Sequence, residues 1–188
     1  MAGAGMLIAL EGAQDAPLEA LAERLFRWLR EQGVAVERTR QPTNGPVGAL
    51  LQLARQGRLR LDPASQALLA VADRTDHLER EGGILSWLEE GRVVFCVHYL
   101  VAAYARAPEE AEWAWLVQIN ARCLSPALAL WIDAPDGAPL ATRYREVAAR
   151  LQAQGDPLCA IDGRRTADEI YAACQRQVAN LLGIGTGG

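Results

Sequence analysis

The chain has 188 residues, 51% hydrophobic and 22% charged, a balance that buries one core of ordinary domain size. Its formal net charge of −4 excludes the global basic field of a nucleic-acid-binding protein. Cys96, Cys123, Cys159 and Cys174 form no Cys-x-x-Cys pair, so reduced thiols are expected and neither a metal site nor a cofactor.

The apolar run Met6–Leu10 has no polar alternation and ends in Glu11-Gly12, as a central parallel strand covered on both faces does. It is far too short to span a membrane and nothing reads as a signal peptide, so a cytoplasmic chain without membrane contact is expected. A helix is predicted from near Pro17, with Leu18, Leu21, Leu25, Phe26 and Leu29 at helical spacing and Gly33 as its stop. Val34–Val36 reads as a short strand, and Thr43-Asn44-Gly45-Pro46 as a turn leading into a helix with Val47, Leu50, Leu51 and Leu53. Asp62-Pro63 opens a helix running towards Arg80, and Ile84–Glu90 is a further helix. Val93–Val97 is a strong strand, Glu109–Cys123 a helix, Ala127–Ile132 a strand, Pro139–Gln152 a helix, Leu158–Ile161 a strand and Thr166–Leu182 a last helix. Alternating strands and helices predict an α/β domain with a parallel sheet of five strands over residues 1–188, frayed at Met1–Gly5 and Gly183–Gly188. Arg24, Arg27, Arg30, Arg38 and Arg40 read as the solvated face of one helix plus a loop.

Ligands of open parallel sheets bind beyond the carboxyl ends of the strands, which directs attention to the segment after Met6–Leu10. A phosphate-binding loop there reads Gly-x-x-x-x-Gly-Lys-Ser/Thr. Here Gly12 is followed by Asp15, by Pro17 at the second glycine position, Leu18 at the lysine and Glu19 at the hydroxyl. Proline offers no N–H, leucine no charge and glutamate no magnesium-binding hydroxyl. Asp15 and Glu19 are expected to cap the helix and occupy its N-terminal field, each stabilising it by ~0.3–1 kcal/mol.

Several motifs in order make the chain resemble the thymidylate kinase family of P-loop nucleoside monophosphate kinases. They are Leu10-Glu11-Gly12, Arg38-Thr39-Arg40-Gln41-Pro42, Leu68–His77, Gly91–Tyr99, Leu130–Pro135 and Ile161-Asp162-Gly163. The resemblance implies a three-layer P-loop kinase fold, and a homodimer through helix faces. It implies that Arg40 and Arg74 would contact a nucleoside monophosphate, and that Ala70 replaces a stacking phenylalanine. Val97 and His98 stand in place of an Asp-Arg pair before Tyr99, so His98 and Tyr99 join Arg40 and Arg74 as a remnant nucleotide site. Arg143, Arg145 and Arg150 fall where a lid is expected and read as one solvated helix; Trp113 and Trp115 are expected on opposite sides of theirs, one in the core and one facing a partner.

The sequence therefore predicts a thymidylate-kinase-like pseudoenzyme with a degenerate phosphate loop (Gly12, Asp15, Pro17, Leu18, Glu19) and no catalytic residues. It would act as a binding, regulatory or scaffold protein through a homodimer or a heteromeric protein partner, with ATP and dTMP binding in doubt. The alternative is a nucleotide-binding protein or an atypical nucleoside monophosphate kinase using the retained acceptor-site arginines.

Overall fold

The computed structural model describes residues 5–109 and 111–185. The strands are β1 (Met6–Gly12), β2 (Val36–Arg40), β3 (Val93–Val97), β4 (Leu128–Asp133) and β5 (Leu158–Asp162). All pairings are parallel, in the order β2-β3-β1-β4-β5. The helices are α1 (Asp15–Glu31), α2 (Pro46–Arg55), α3 (Pro63–Glu79), α4 (Ile84–Glu89), α5 (Leu100–Ala105), α6 (Trp113–Ile119), α7 (Ala141–Ala153) and α8 (Ala167–Leu182).

Strand side chains alternate between faces, and here both faces are covered. Ile8, Leu10, Phe95 and Leu130 pack with Leu18, Leu21 and Leu25 of α1 and Val178 of α8. Leu7, Ala9, Val94 and Cys96 pack on the other side with Leu78 of α3 and Ile84 at the start of α4. A third cluster joins Val101 and Tyr104 of α5 to Tyr144, Val147 and Leu151 of α7. The capped helices begin where local chemistry directs: Asp62 accepts from the Ser65 amide at 3.0 Å, and Thr166 and Glu169 form a reciprocal capping box.

The structure moves several predicted boundaries. Helix α1 begins at Asp15, because Pro17 falls within the first turn, where a missing N–H breaks no helical bond. Residues 38–40 are strand rather than loop, paired in register with Phe95, Cys96 and Val97. Helix α6 is shorter than Glu109–Cys123. It stops where the buried Asn120 side chain turns back to the Leu116 carbonyl. Glu110 lies outside the described residues. So do residues 1–4 and 186–188, on which most of the expected fraying falls; Gly5 sits tightly against Leu88, and Gly183 is the left-handed stop of α8. Trp113 and Trp115 are both half-buried on the third cluster, Trp113 with its ring 4.8 Å from that of Tyr104, so the pair does not divide into one core and one outward-facing ring.

Gly48 allows α2 to press against the turn before it. A Cβ there would strike the Thr43 carbonyl oxygen and lie 2.7 Å from Asp73 Oδ1. Asp73 accepts from the Thr43 amide and hydroxyl, so nothing at this junction can give way without losing a buried bond. Gly48→Ala is expected to destabilise the fold by about 1–3 kcal/mol, read as a lower denaturation midpoint with an unchanged slope.

Candidate functional site

The site lies at the carboxyl ends of β1, β2 and β3. Only Ala13 and Gln14 separate β1 from α1. A phosphate cradle needs a run of free backbone amides wrapped around the anion; here Asp15, Pro17, Leu18 and Glu19 are all helical. Leu18 is buried in the core, 2% exposed, and Gly12 and Pro17 line a largely apolar cavity of about 290 Å³ with Leu21, Ile132, Pro135 and Ile170.

Asp15 and Glu19 do not cap α1: the N-cap is Gln14, without a side-chain bond. Both carboxylates turn to arginines and histidine instead. Asp15 Oδ1 accepts from His98 Nε2 at 3.0 Å and from Arg106 Nη2 at 2.8 Å, while Oδ2 lies 3.7 Å from Arg40 Nη2. Glu19 pairs with Arg40 at 3.4 Å and with Arg38 at 2.9 Å. Arg38 also meets Glu23, so Arg38 and Arg40 belong to an ion-pair network across α1 and β2, not to a solvated loop. The His98 hydrogen bond, opposed by burial and aided by Arg106, holds the Asp15 carboxyl well below the usual range. Burial in turn lowers the pKa of His98 despite Asp15. His98 is 3% exposed and has φ 58°, a left-handed conformation uncommon for a residue with a side chain.

Arg74 belongs to a separate, buried network. It donates to Gln41 Oε1 at 3.0 Å and to Asn120 Oδ1; Gln41 lies 3.3 Å from His77, and His77 meets the Thr39 hydroxyl at 2.7 Å. The space beside Arg74, lined by Leu51, Arg55, Ala70 and Ala103, is about 40 Å³. Pockets that enclose small ligands run to roughly 300–1,000 Å³. An open polar recess of about 590 Å³ does border Arg40, with Glu19, Arg38, Thr43 and Arg80. Thus Asp15, Arg40 and His98 come together, whereas Arg74 and Tyr99 lie deeper and Leu18 is elsewhere. On the lid segment, Arg145 is tied to Asp133 and Asp136 rather than simply solvated.

The sequence reading assigns no role to Glu11, although it stands in the first motif, and does not single out Arg106 or Asn120. Arg106 was discoverable as the only charge in Leu100–Ala107. It donates to the Ala13 carbonyl and to Tyr144, clamping the short β1–α1 connection. Glu11 is fully buried and accepts from the amides of Tyr99, Val101 and Ala102, each at 3.0 Å.

Loss of water raises the Glu11 pKa to about 7 even though the three amides oppose the shift. The folded state therefore holds a proton that the unfolded state has released. The resulting stability is present below about 4.5 and is lost as pH rises to about 7, a change of about 3 kcal/mol. Buried His77, pushed down to about 4, has the opposite sign: its contribution is present above 6.5 and lost as pH falls. Glu11→Gln separates the two. The stability difference between wild type and E11Q should shrink by about 3 kcal/mol between about pH 4.5 and 7 in denaturant titrations.

A family model described as thymidylate kinase matches residues 19–170. A probable thymidylate kinase of Pyrococcus abyssi (strain GE5 / Orsay) is 34% identical over 163 residues, covering 81% of this chain and 72% of that protein. A thymidylate kinase of Alkalilimnicola ehrlichii is 33% identical over 138 residues, covering 70% of this chain and 63% of its own length. The crystal structure of thymidylate kinase from Ehrlichia chaffeensis has the same fold, with a TM-score of 0.77 at 19% identity over 94% of this chain and 98% of that one. With the ordered motifs and the β2-β3-β1-β4-β5 sheet, these matches show that the chain belongs to the thymidylate kinase family.

Proposed function

We propose that this member of the thymidylate kinase family is a pseudoenzyme, a binding or regulatory module that does not transfer phosphate. The observation that carries this reading is the two-residue connection between β1 and α1. It puts Asp15, Pro17 and Leu18 into a helix where a phosphate loop would run. Phosphoryl transfer is mostly positioning and charge stabilisation, and one arginine finger alone contributes on the order of 10³–10⁵ in rate. A site without the loop lysine and hydroxyl, with a carboxylate at the helix start, lacks several such contributions together.

The second reading is an atypical nucleoside monophosphate kinase or nucleotide-binding protein. The names of the relatives favour it, as do the retained Arg40 and Arg74 and the open recess beside Arg40. A magnesium-dependent assay of the purified chain with ATP and dTMP decides between the two. No turnover is expected, and calorimetry should show no heat for ATP with magnesium. Phosphorylation of dTMP that disappears in Arg74→Ala would overturn the pseudoenzyme reading; turnover unchanged by that substitution marks a contaminating kinase.

We place the protein contact on the α2–α3 pair, where Leu50 and Leu68 are 46% and 49% exposed, with a second copy of the chain as its occupant. Light scattering should give the mass of a dimer, and Leu68→Glu that of a monomer. A monomeric wild type would remove this assignment.

A further inference from the structure

The cluster at the start of α1 is a convergence of side chains from distant elements. Arg40 reaches it from β2, His98 from the bend after β3, and Arg106 from the end of α5, and all three end on Asp15. A guanidinium at 2.8 Å, an imidazole at 3.0 Å and a second guanidinium at 3.7 Å give this carboxylate the surroundings that a phosphate oxygen takes among basic side chains. The helix N-terminus adds a field of the same sign. His98 is nearly fully buried, and its Nδ1 has no hydrogen-bond partner among the described residues.

The charge around the cluster is positive beyond these three groups. Arg74 hydrogen-bonds the neutral amides of Gln41 and Asn120. Arg55, exposed on the last turn of α2, borders the same small cavity and adds a further positive charge. Glu19 is shared between Arg38 and Arg40, which leaves Asp15 as the carboxylate paired with Arg106.

We propose that Asp15 is an internal anion: its carboxylate fills an oxyanion site built by Arg40, His98 and Arg106 and closes that site to phosphate groups. This inference rests on the pseudoenzyme reading and gives it a cause. The site is filled from within, so the arginines are satisfied without a ligand. Removing the carboxylate leaves three cationic or donor groups facing one space at a helix N-terminus, which is an anion receptor.

The test is calorimetric titration of the full chain with inorganic pyrophosphate. Wild type should show no saturable binding at millimolar concentration. Asp15→Asn keeps the shape and removes the charge, and should bind at least about tenfold more tightly, the equivalent of 1.4 kcal/mol. Adding Arg106→Gln should return the D15N protein to the wild-type level. Three results overturn the proposal: a cooperatively melting D15N that binds no better than wild type, a wild type that binds as well as D15N, or D15N binding indifferent to R106Q. Asp15→Gly repeats the test if D15N melts without cooperativity, and loss of cooperative melting in both makes Asp15 a purely structural residue. No kinase turnover together with no gain in D15N defeats this inference alone. Turnover by the wild type defeats the functional reading instead.

Discussion

The carboxyl edge of the sheet is organised by a carboxyl group with no access to water. Glu11 ends the central strand, and its two oxygens collect the first amides of α5 just beyond β3. A buried carboxyl group left without such partners would cost several kcal/mol in either protonation state, so strand and helix start are bound to one geometry. That geometry places His98 in its left-handed bend and directs Tyr99 into the core, where its hydroxyl donates to the Leu124 carbonyl. It also brings α5 back over β1, so that Arg106 at its end can reach Ala13 and Asp15.

Two polar systems grow from this edge and differ in kind. The Arg74 system is buried and uses neutral partners: a guanidinium between Gln41 and Asn120, with His77 behind them. Such a charge persists because its donors are hydrogen-bonded, although among the described residues no carboxylate accepts from it. The Asp15 system is half open and ionic, with arginines of β2 and α5 drawn to the first turn of α1. Exposed pairs of this type contribute little stability one by one, but a network fixes orientation because each added bond immobilises fewer new side chains.

The order of elements was legible because each carries a local signal. Unbroken apolar runs mark β1 and β3, Asp62-Pro63 and Thr166 mark helix starts, and Gly33 marks a stop. The errors fell where a distant contact overrules propensity. Arg38–Arg40 reads as loop alone but becomes strand because β3 offers it a ladder. The segment after Pro108 reads as a long helix, but Asn120 is claimed by Arg74 from α3. Asp15 and Glu19 suit a cap by sequence, yet arginines from β2 and α5 supply stronger, charge-assisted donors.

What the sequence by itself determined is the family, the alternation of strands and helices, and the residue types at the site: Pro17, Leu18 and Glu19 where a lysine and a hydroxyl are expected, with Arg40 and Arg74 kept. These follow from local pattern and residue chemistry, which act over a few positions. Only the tertiary structure decided that the connection after β1 is two residues long, that Leu18 is core, and that Asp15, His98, Arg40 and Arg106 meet at one point. Those outcomes depend on parallel strands bringing together the ends of β1, β2 and β3. Side-chain charge then chooses among partners that lie far apart in the chain, a choice that linear spacing does not encode.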